Sequence, residues 1–246
     1  MSFKHLQIRY QTARSLPAPY AYFYTLTARP TANGSLDVNF SITFPDRDDI
    51  DDDELIAEGY TRDDDFQWSG RLPNAWQKAL TELTDKTRLS SLVEEELDEE
   101  EAFLELTIEL PNGQKQQGTP RSRDDWDYLV QELMQAAYEA GGREAPFELT
   151  YLDFNVRPDS LTLNVSASFT ERAVQIERIQ GRNERRKTLP WSELQRIMSF
   201  VYEHDYDPDS AQLKRPKQTG QWLNLGSEEW YDVSTFPALT KKLQNL

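Results

Sequence analysis

The stretches Ser35-Leu36-Asp37-Val38-Asn39-Phe40-Ser41-Ile42-Thr43-Phe44 and Ser160-Leu161-Thr162-Leu163-Asn164-Val165-Ser166-Ala167-Ser168-Phe169 decide the reading of this chain. They align without a gap and share Ser, Leu, Asn, Ser and Phe at the same offsets. Both alternate apolar with small polar side chains, so each reads as a strand with one face inward and one toward water.

Outward from these strands the correspondence continues in the same order. Ala18-Pro19-Tyr20 opens a run ending at Arg29-Pro30, as Ala145-Pro146-Phe147 opens one ending at Arg157-Pro158. Leu72-Pro73 and Leu189-Pro190 each precede a helical pattern, with Leu80 and Leu83 matching Ile197 and Phe200. Proline suits a helix start, where its missing N–H would have no partner anyway. Asp124-Asp125-Trp126 matches Glu228-Glu229-Trp230, with acidic residues that suit a helix N-terminus. Self-similarity in this order signals an internal duplication.

Each copy is predicted to run β-β-β-β-α-β-β-α. In the first, strands fall at 20–29, 35–44, 54–61 and 66–71, a helix at 74–87, strands at 103–110 and 114–119, and a helix at 124–140. Pro111-Asn112-Gly113 supplies a hairpin turn, and Gly141-Gly142 closes the last helix. In the second, strands fall at 147–156, 160–169, 172–180 and 184–188, then helix 190–204, a hairpin at 211–225 and helix 227–243. The expected fold class is α+β and internally duplicated. Each copy is an antiparallel sheet with helices packed on one face, and the two are expected in a pseudo-two-fold arrangement. The expected division is an N-terminal arm at 1–17, an acidic α+β repeat at 18–142 and a near-neutral α+β repeat at 143–246.

Composition narrows the chemistry. The 246 residues include no Cys and 2 His, but 6 Trp, 11 Tyr and 11 Phe, an aromatic content that argues against disorder. Without Cys there are no disulfides, thiolate metal sites or cysteine nucleophiles. No run approaches the roughly 20 apolar residues needed to span a bilayer. Residues 1–20 lack the continuous apolar stretch of a signal peptide. A cytoplasmic protein without membrane contact is the expectation.

The net charge of −16 is unevenly spread. Residues 1–142 hold 13 basic and 28 acidic side chains, residues 143–246 hold 14 and 15. The acidic groups cluster at 46–54, 63–65 and 94–101, and they read as solvated loops. Asp49, Asp51 and Asp53 mimic the first three ligand positions of a calcium loop, but Glu54 stands at the glycine position and Tyr60 at the bidentate-glutamate position. They are weak divalent-ion candidates and no more. The second half instead gathers Arg178, Arg182, Arg185, Arg186 and Lys187 in one predicted hairpin, a candidate site for an anion or an acidic partner. Tyr20, Tyr22 and Tyr24 share one face of a predicted strand and form a candidate aromatic face for stacking.

Motifs of nucleophilic, zinc-hydrolase and nucleotide chemistry are missing. His204 with Asp205, Asp207 and Asp209 reads as a helix end followed by a polar loop. No cofactor is expected. The leading expectation is a non-catalytic interaction or scaffold protein, meeting a protein partner or another copy of itself by charge complementarity. One alternative is binding of single-stranded nucleic acid or another polyanion through the basic hairpin, although the net charge opposes it over the first half. The other is carboxylate- or metal-dependent hydrolysis by some of the 43 acidic residues.

Overall fold

Period-two alternation places Leu6 and Ile8, Leu26 and Ala28, Leu36, Val38, Phe40 and Ile42, and Leu106 and Ile108 on one buried sheet face. The polar partners Gln7, Thr27, Asp37, Asn39 and Thr107 lie on the other. Each fully buried Leu or Ile contributes about 2 kcal/mol relative to exposure, which fixes the inward face. The computed structural model describes residues 3–217 and 219–246. The chain divides between Arg143 and Glu144 into two compact units, each α+β around one antiparallel sheet.

The first unit comprises β1 (His5–Gln11), β2 (Phe23–Pro30), β3 (Leu36–Thr43), α1 (Asp52–Ala57), β4 (Phe66–Leu72), α2 (Asn74–Lys86), β5 (Leu89–Ser90), β6 (Phe103–Glu109), β7 (Lys115–Pro120) and α3 (Arg123–Ala140). Its seven strands run in the order β4-β3-β2-β1-β6-β7-β5. Helix α2 buries Trp76 and Leu80, and α3 buries Trp126, Leu129, Val130, Leu133, Ala136 and Ala137. These are the stripes that a 3.6-residue period puts on one side of a helix. They meet β3, β4 and β7, and Trp126 Nε1 donates to Thr87 Oγ1 at 2.9 Å.

Besides the short strand β5, which the sequence reading lacks, two features of this unit differ from it. The stretch 1–17 is more than an arm, because β1 lies inside the sheet between β2 and β6. Its inward residues Leu6 and Ile8 make only a short alternation, and its partner β6 lies about a hundred residues away in sequence. The predicted strand at 54–61 is instead the helix α1 and a turn. Asp51 caps that helix by accepting from the Asp53 N–H, and Asp52, Asp53 and Glu54 fill its first turn, where acidic groups favour the macrodipole. Leu55 anchors it.

The second unit comprises β8 (Phe147–Asp153), β9 (Leu161–Ser168), β10 (Ala173–Gln180), β11 (Asn183–Leu189), α4 (Ser192–Val201), β12 (Gln221–Asn224), β13 (Tyr231–Asp232) and α5 (Pro237–Gln244). Its sheet order is β11-β10-β9-β8-β12-β13. One core joins Leu149, Leu161, Leu163, Val165 and Ile176 of the sheet to Leu194, Ile197 and Phe200 of α4 and Leu239 and Leu243 of α5. The predicted helix 227–243 shortens to α5, which begins at Pro237 because proline is tolerated only in a first turn. Trp230, read from sequence as the counterpart of Trp126 at a helix start, instead bridges to Gln212. It packs with Leu152 and Trp222 apart from the main core.

Read from β4 and β11 inward, the two sheet orders correspond strand for strand over six strands. In that correspondence β9 stands where β2 stands, not β3. The aligned stretches 35–44 and 160–169 therefore occupy neighbouring rather than equivalent places. Alternation reports a half-buried strand but not its position in the sheet, which is why the best local alignment slips by one strand.

Candidate functional site

The basic hairpin is built as its sequence suggests. Gln180 pairs with Asn183 across Gly181-Arg182, and Gly181 has φ +60°, the left-handed conformation that a two-residue turn of type II′ asks of its first residue. Strand β11 ends the sheet, and residues 183–188 are all exposed.

Register divides the four strand cations between two faces and leaves Arg182 in the turn. Ile176, Arg178 and Gln180 lie opposite Lys187, Arg185 and Asn183, whereas Glu177 lies opposite Arg186. On the face that meets α5, Arg178 Nη1 donates to Gln244 O at 2.7 Å and Lys187 Nζ to Leu246 O at 3.0 Å. Cations at a helix C-terminus satisfy its last carbonyls and its dipole. On the other face Arg186 Nη2 lies 2.7 Å from Glu177 Oε1, and its Nε lies 2.9 Å from Glu184 Oε1. Asn164 Nδ2 donates to Glu177 Oε2 at 2.8 Å, and Thr150 Oγ1 to Asn164 Oδ1 at 3.1 Å. The Asn164 amide and then Arg186 hold the Glu177 carboxyl below its ordinary range. This row borders a groove of about 310 Å³ that also takes in Ser166, Gln175 and Thr188. Three of the five cations are therefore committed inside the unit. The side chains of Arg182 and Arg185 have no hydrogen-bond or ion-pair partner among the described residues.

Other connections meet the turn of this hairpin. Gln180 Nε2 donates to Asp159 O at 3.4 Å, and a Cβ on Gly181 would lie 2.3 Å from Asp159 Oδ2. On the same connection Phe154 N donates to Gly220 O at 3.0 Å. The segments 154–160, 181–182 and 219–220 thus share one end of the sheet, with Asp159 against the hairpin turn and Arg157 on the same loop, donating to Phe154 O at 3.5 Å. Sequence reasoning missed Arg157, since only the strand order brings its loop there.

The three tyrosines do not form one open face. Strand β2 begins at Phe23, so Tyr20 lies before it, with its hydroxyl donating to Glu58 Oε2 at 3.0 Å and its ring edge-on to Tyr60. Tyr22 stacks on Tyr10 with centroids 5.5 Å apart. Tyr24 is buried and stacks on the same ring at 4.9 Å. Burial pushes the Tyr24 hydroxyl well above its ordinary range.

The acidic segment 46–65 is organised around a buried cation. Arg47 is 3 % exposed; its Nη1 donates to Thr61 O at 2.8 Å and pairs with Asp64, and its Nη2 donates to Pro19 O at 2.9 Å. Its guanidinium lies 4.1 Å from the Phe44 ring centre and 4.8 Å from that of Tyr60. Burial raises the Asp64 carboxyl, but the Thr61 N–H and hydroxyl and Arg47 outweigh it, and the net shift is downward. Arg62 Nε holds Asp52 Oδ1 at 2.5 Å and its Nη2 the Ile50 carbonyl at 2.6 Å. Arg143, counted with the second half by sequence, donates to the carbonyls of Asp63, Asp64 and Asp65. Asp49, Asp51 and Asp53 do not converge: among the described residues no three acidic or histidine side chains gather as a cation site.

The acidic segment 94–101 is different. It is fastened by its backbone: Arg14 Nη2 donates to Leu97 O at 2.5 Å, Ser15 N to Glu99 O at 2.9 Å and Glu101 N to Asp98 O at 3.1 Å. Its seven carboxylates are all exposed, and none has an ion-pair partner among the described residues.

A further polar centre escaped the sequence reading. Asp153 is fully buried at the end of β8. It accepts from Gln221 Nε2 at 2.9 Å, Gln244 Nε2 at 2.6 Å, the Tyr151 hydroxyl at 3.0 Å and Asn155 N at 2.9 Å. Burial raises its carboxyl, yet Gln221, Gln244 and the other donors together bring it below the ordinary range. The carboxylate ties β8 to β12 and to the end of α5.

No protein-family model matches the chain, and no curated protein or solved structure does. Among the described residues no helix is long and apolar enough to cross a membrane.

Proposed function

We propose that this chain is a non-catalytic interaction protein, built from a duplicated α+β module, whose second unit binds an acidic polypeptide along the β10–β11 edge. The observation that carries this reading is the division of labour among the hairpin cations. Arg178, Lys187 and Arg186 are held within the unit, whereas the side chains of Arg182, in the turn, and Arg185, on the outermost strand, stand exposed and unpartnered among the described residues. A charged edge repels an identical edge and so resists indiscriminate sheet pairing. The same edge accepts an extended segment of opposite charge, which adds backbone hydrogen bonds to ion pairs. The matching order of six strands supports the duplication.

Titration of the full chain with poly-L-glutamate tests the reading. Binding is expected at low salt, with a loss of at least about tenfold in R182E/R185E. Undiminished binding by that variant, or none by the wild type, overturns the reading. Tighter binding of an oligo-dT strand than of poly-L-glutamate would replace it with a polyanion site.

A further inference from the structure

We infer that the occupant of the basic edge is the acidic strap 94–101 of a second copy, so that the chain assembles head to tail. The inference rests on the proposed reading of the edge and supplies its partner.

Charge complementarity carries the argument, once the charges already in use are set aside. Of the two long acidic segments, 46–65 has its carbonyls and several carboxylates engaged by Arg47, Arg62 and Arg143. The strap is held through its backbone, and its one carboxyl engaged among the described residues, Asp98, accepts from Glu100 N at 3.3 Å. Glu94, Glu95, Glu96, Glu99 and Glu100 therefore present exposed side chains with no ion-pair partner among the described residues. On the basic side the Arg182 and Arg185 side chains are available. The acidic groups beside them are Asp159, near Gly181, and Glu184, which Arg186 already holds.

Symmetry favours the head-to-tail arrangement. A two-fold pairing of β11 with itself centred on Arg186 would set Arg185, Arg186 and Lys187 against like charges, and one centred on Arg185 would set that residue against itself. A strap-to-edge contact joins two different surfaces, so each copy keeps one strap and one edge for further copies. The chain's charge of −16 repels other copies at a distance. At roughly 0.15 M salt the Debye length is about 8 Å, so that repulsion is largely screened while ion pairs in contact survive.

The test is sedimentation velocity on the full chain, with the strap variant E95Q/E96Q/E99Q/E100Q and the edge variant R182E/R185E. Far-ultraviolet circular dichroism and melting curves would confirm that all are folded. The wild type is expected to show concentration-dependent oligomers near physiological salt and to dissociate in about 1 M salt. Either variant alone should lose at least about tenfold in self-association. A mixture of the two should form a capped heterodimer, because one keeps its edge and the other its strap. A wild type that stays monomeric at every concentration, or variants that associate as it does, overturns the inference. If poly-L-glutamate still binds Arg182 and Arg185 in that case, the binding reading stands and only the choice of partner falls. If it does not, both fall.

Discussion

The acidic segments 46–65 and 94–101 look alike in sequence and differ in what their charges do. The first wraps a guanidinium that is 3 % exposed, and two further arginines tie its carbonyls and carboxylates. The second meets its one arginine, Arg14, through a carbonyl and leaves its carboxylates in water. Acidity holds the fold together in one place and is left available in the other. Asp153 adds a third case, a buried carboxylate stabilised by amide and hydroxyl donors.

The largest effect should come from Arg47. Arg47→Met removes the cation from a buried ion pair, and a loss of about 3 kcal/mol in urea denaturation is expected. A loss under about 1 kcal/mol would mean that the segment holds itself without its cation. Next, Asp153→Ala leaves the Gln221, Gln244 and Tyr151 donors without their shared acceptor and should cost about 2 kcal/mol.

Acid titration sharpens the contrast. Asp64 and Asp153 both have folded-state carboxyls below the ordinary range. Their stabilisation is therefore complete above the unfolded value, about 4, and is lost as pH falls from there through the folded value. Asp64→Asn and Asp153→Asn should each flatten the acid limb of a stability–pH curve; an unchanged limb would show that other carboxylates set it. Gly181→Ala, at φ +60° and facing Asp159, should cost about 1 kcal/mol, visible as a lowered melting temperature. The smallest effect belongs to the strap: E95Q/E96Q/E99Q/E100Q should change stability by no more than about 0.5 kcal/mol. A large loss there would make the two acidic segments alike after all.

Much of the fold was legible because it depends on local periodicity. Leu36, Val38, Phe40 and Ile42 face inward as their alternation requires, as do Leu161, Leu163 and Val165. The helices after Leu72-Pro73 and Leu189-Pro190 begin close to where proline places them. What escaped depends on distant partners. β1 is recognisable as a central strand only beside β6. Arg47 is one arginine among many until Pro19, Thr61 and Asp64 close around it. Asp153 is an ordinary strand-end residue until Gln221 and Gln244 arrive from 68 and 91 residues away. The basic hairpin was visible as composition, but only pairing register separates the cations that fasten α5 from the two left exposed.

A double-mutant cycle in self-association between E99Q/E100Q on the strap and R182Q/R185Q on the edge tests the central claim most directly. Direct contact predicts a coupling above about 1 kcal/mol, with the combined variant barely weaker than either pair alone. Additive losses would place the two surfaces apart and contradict the account.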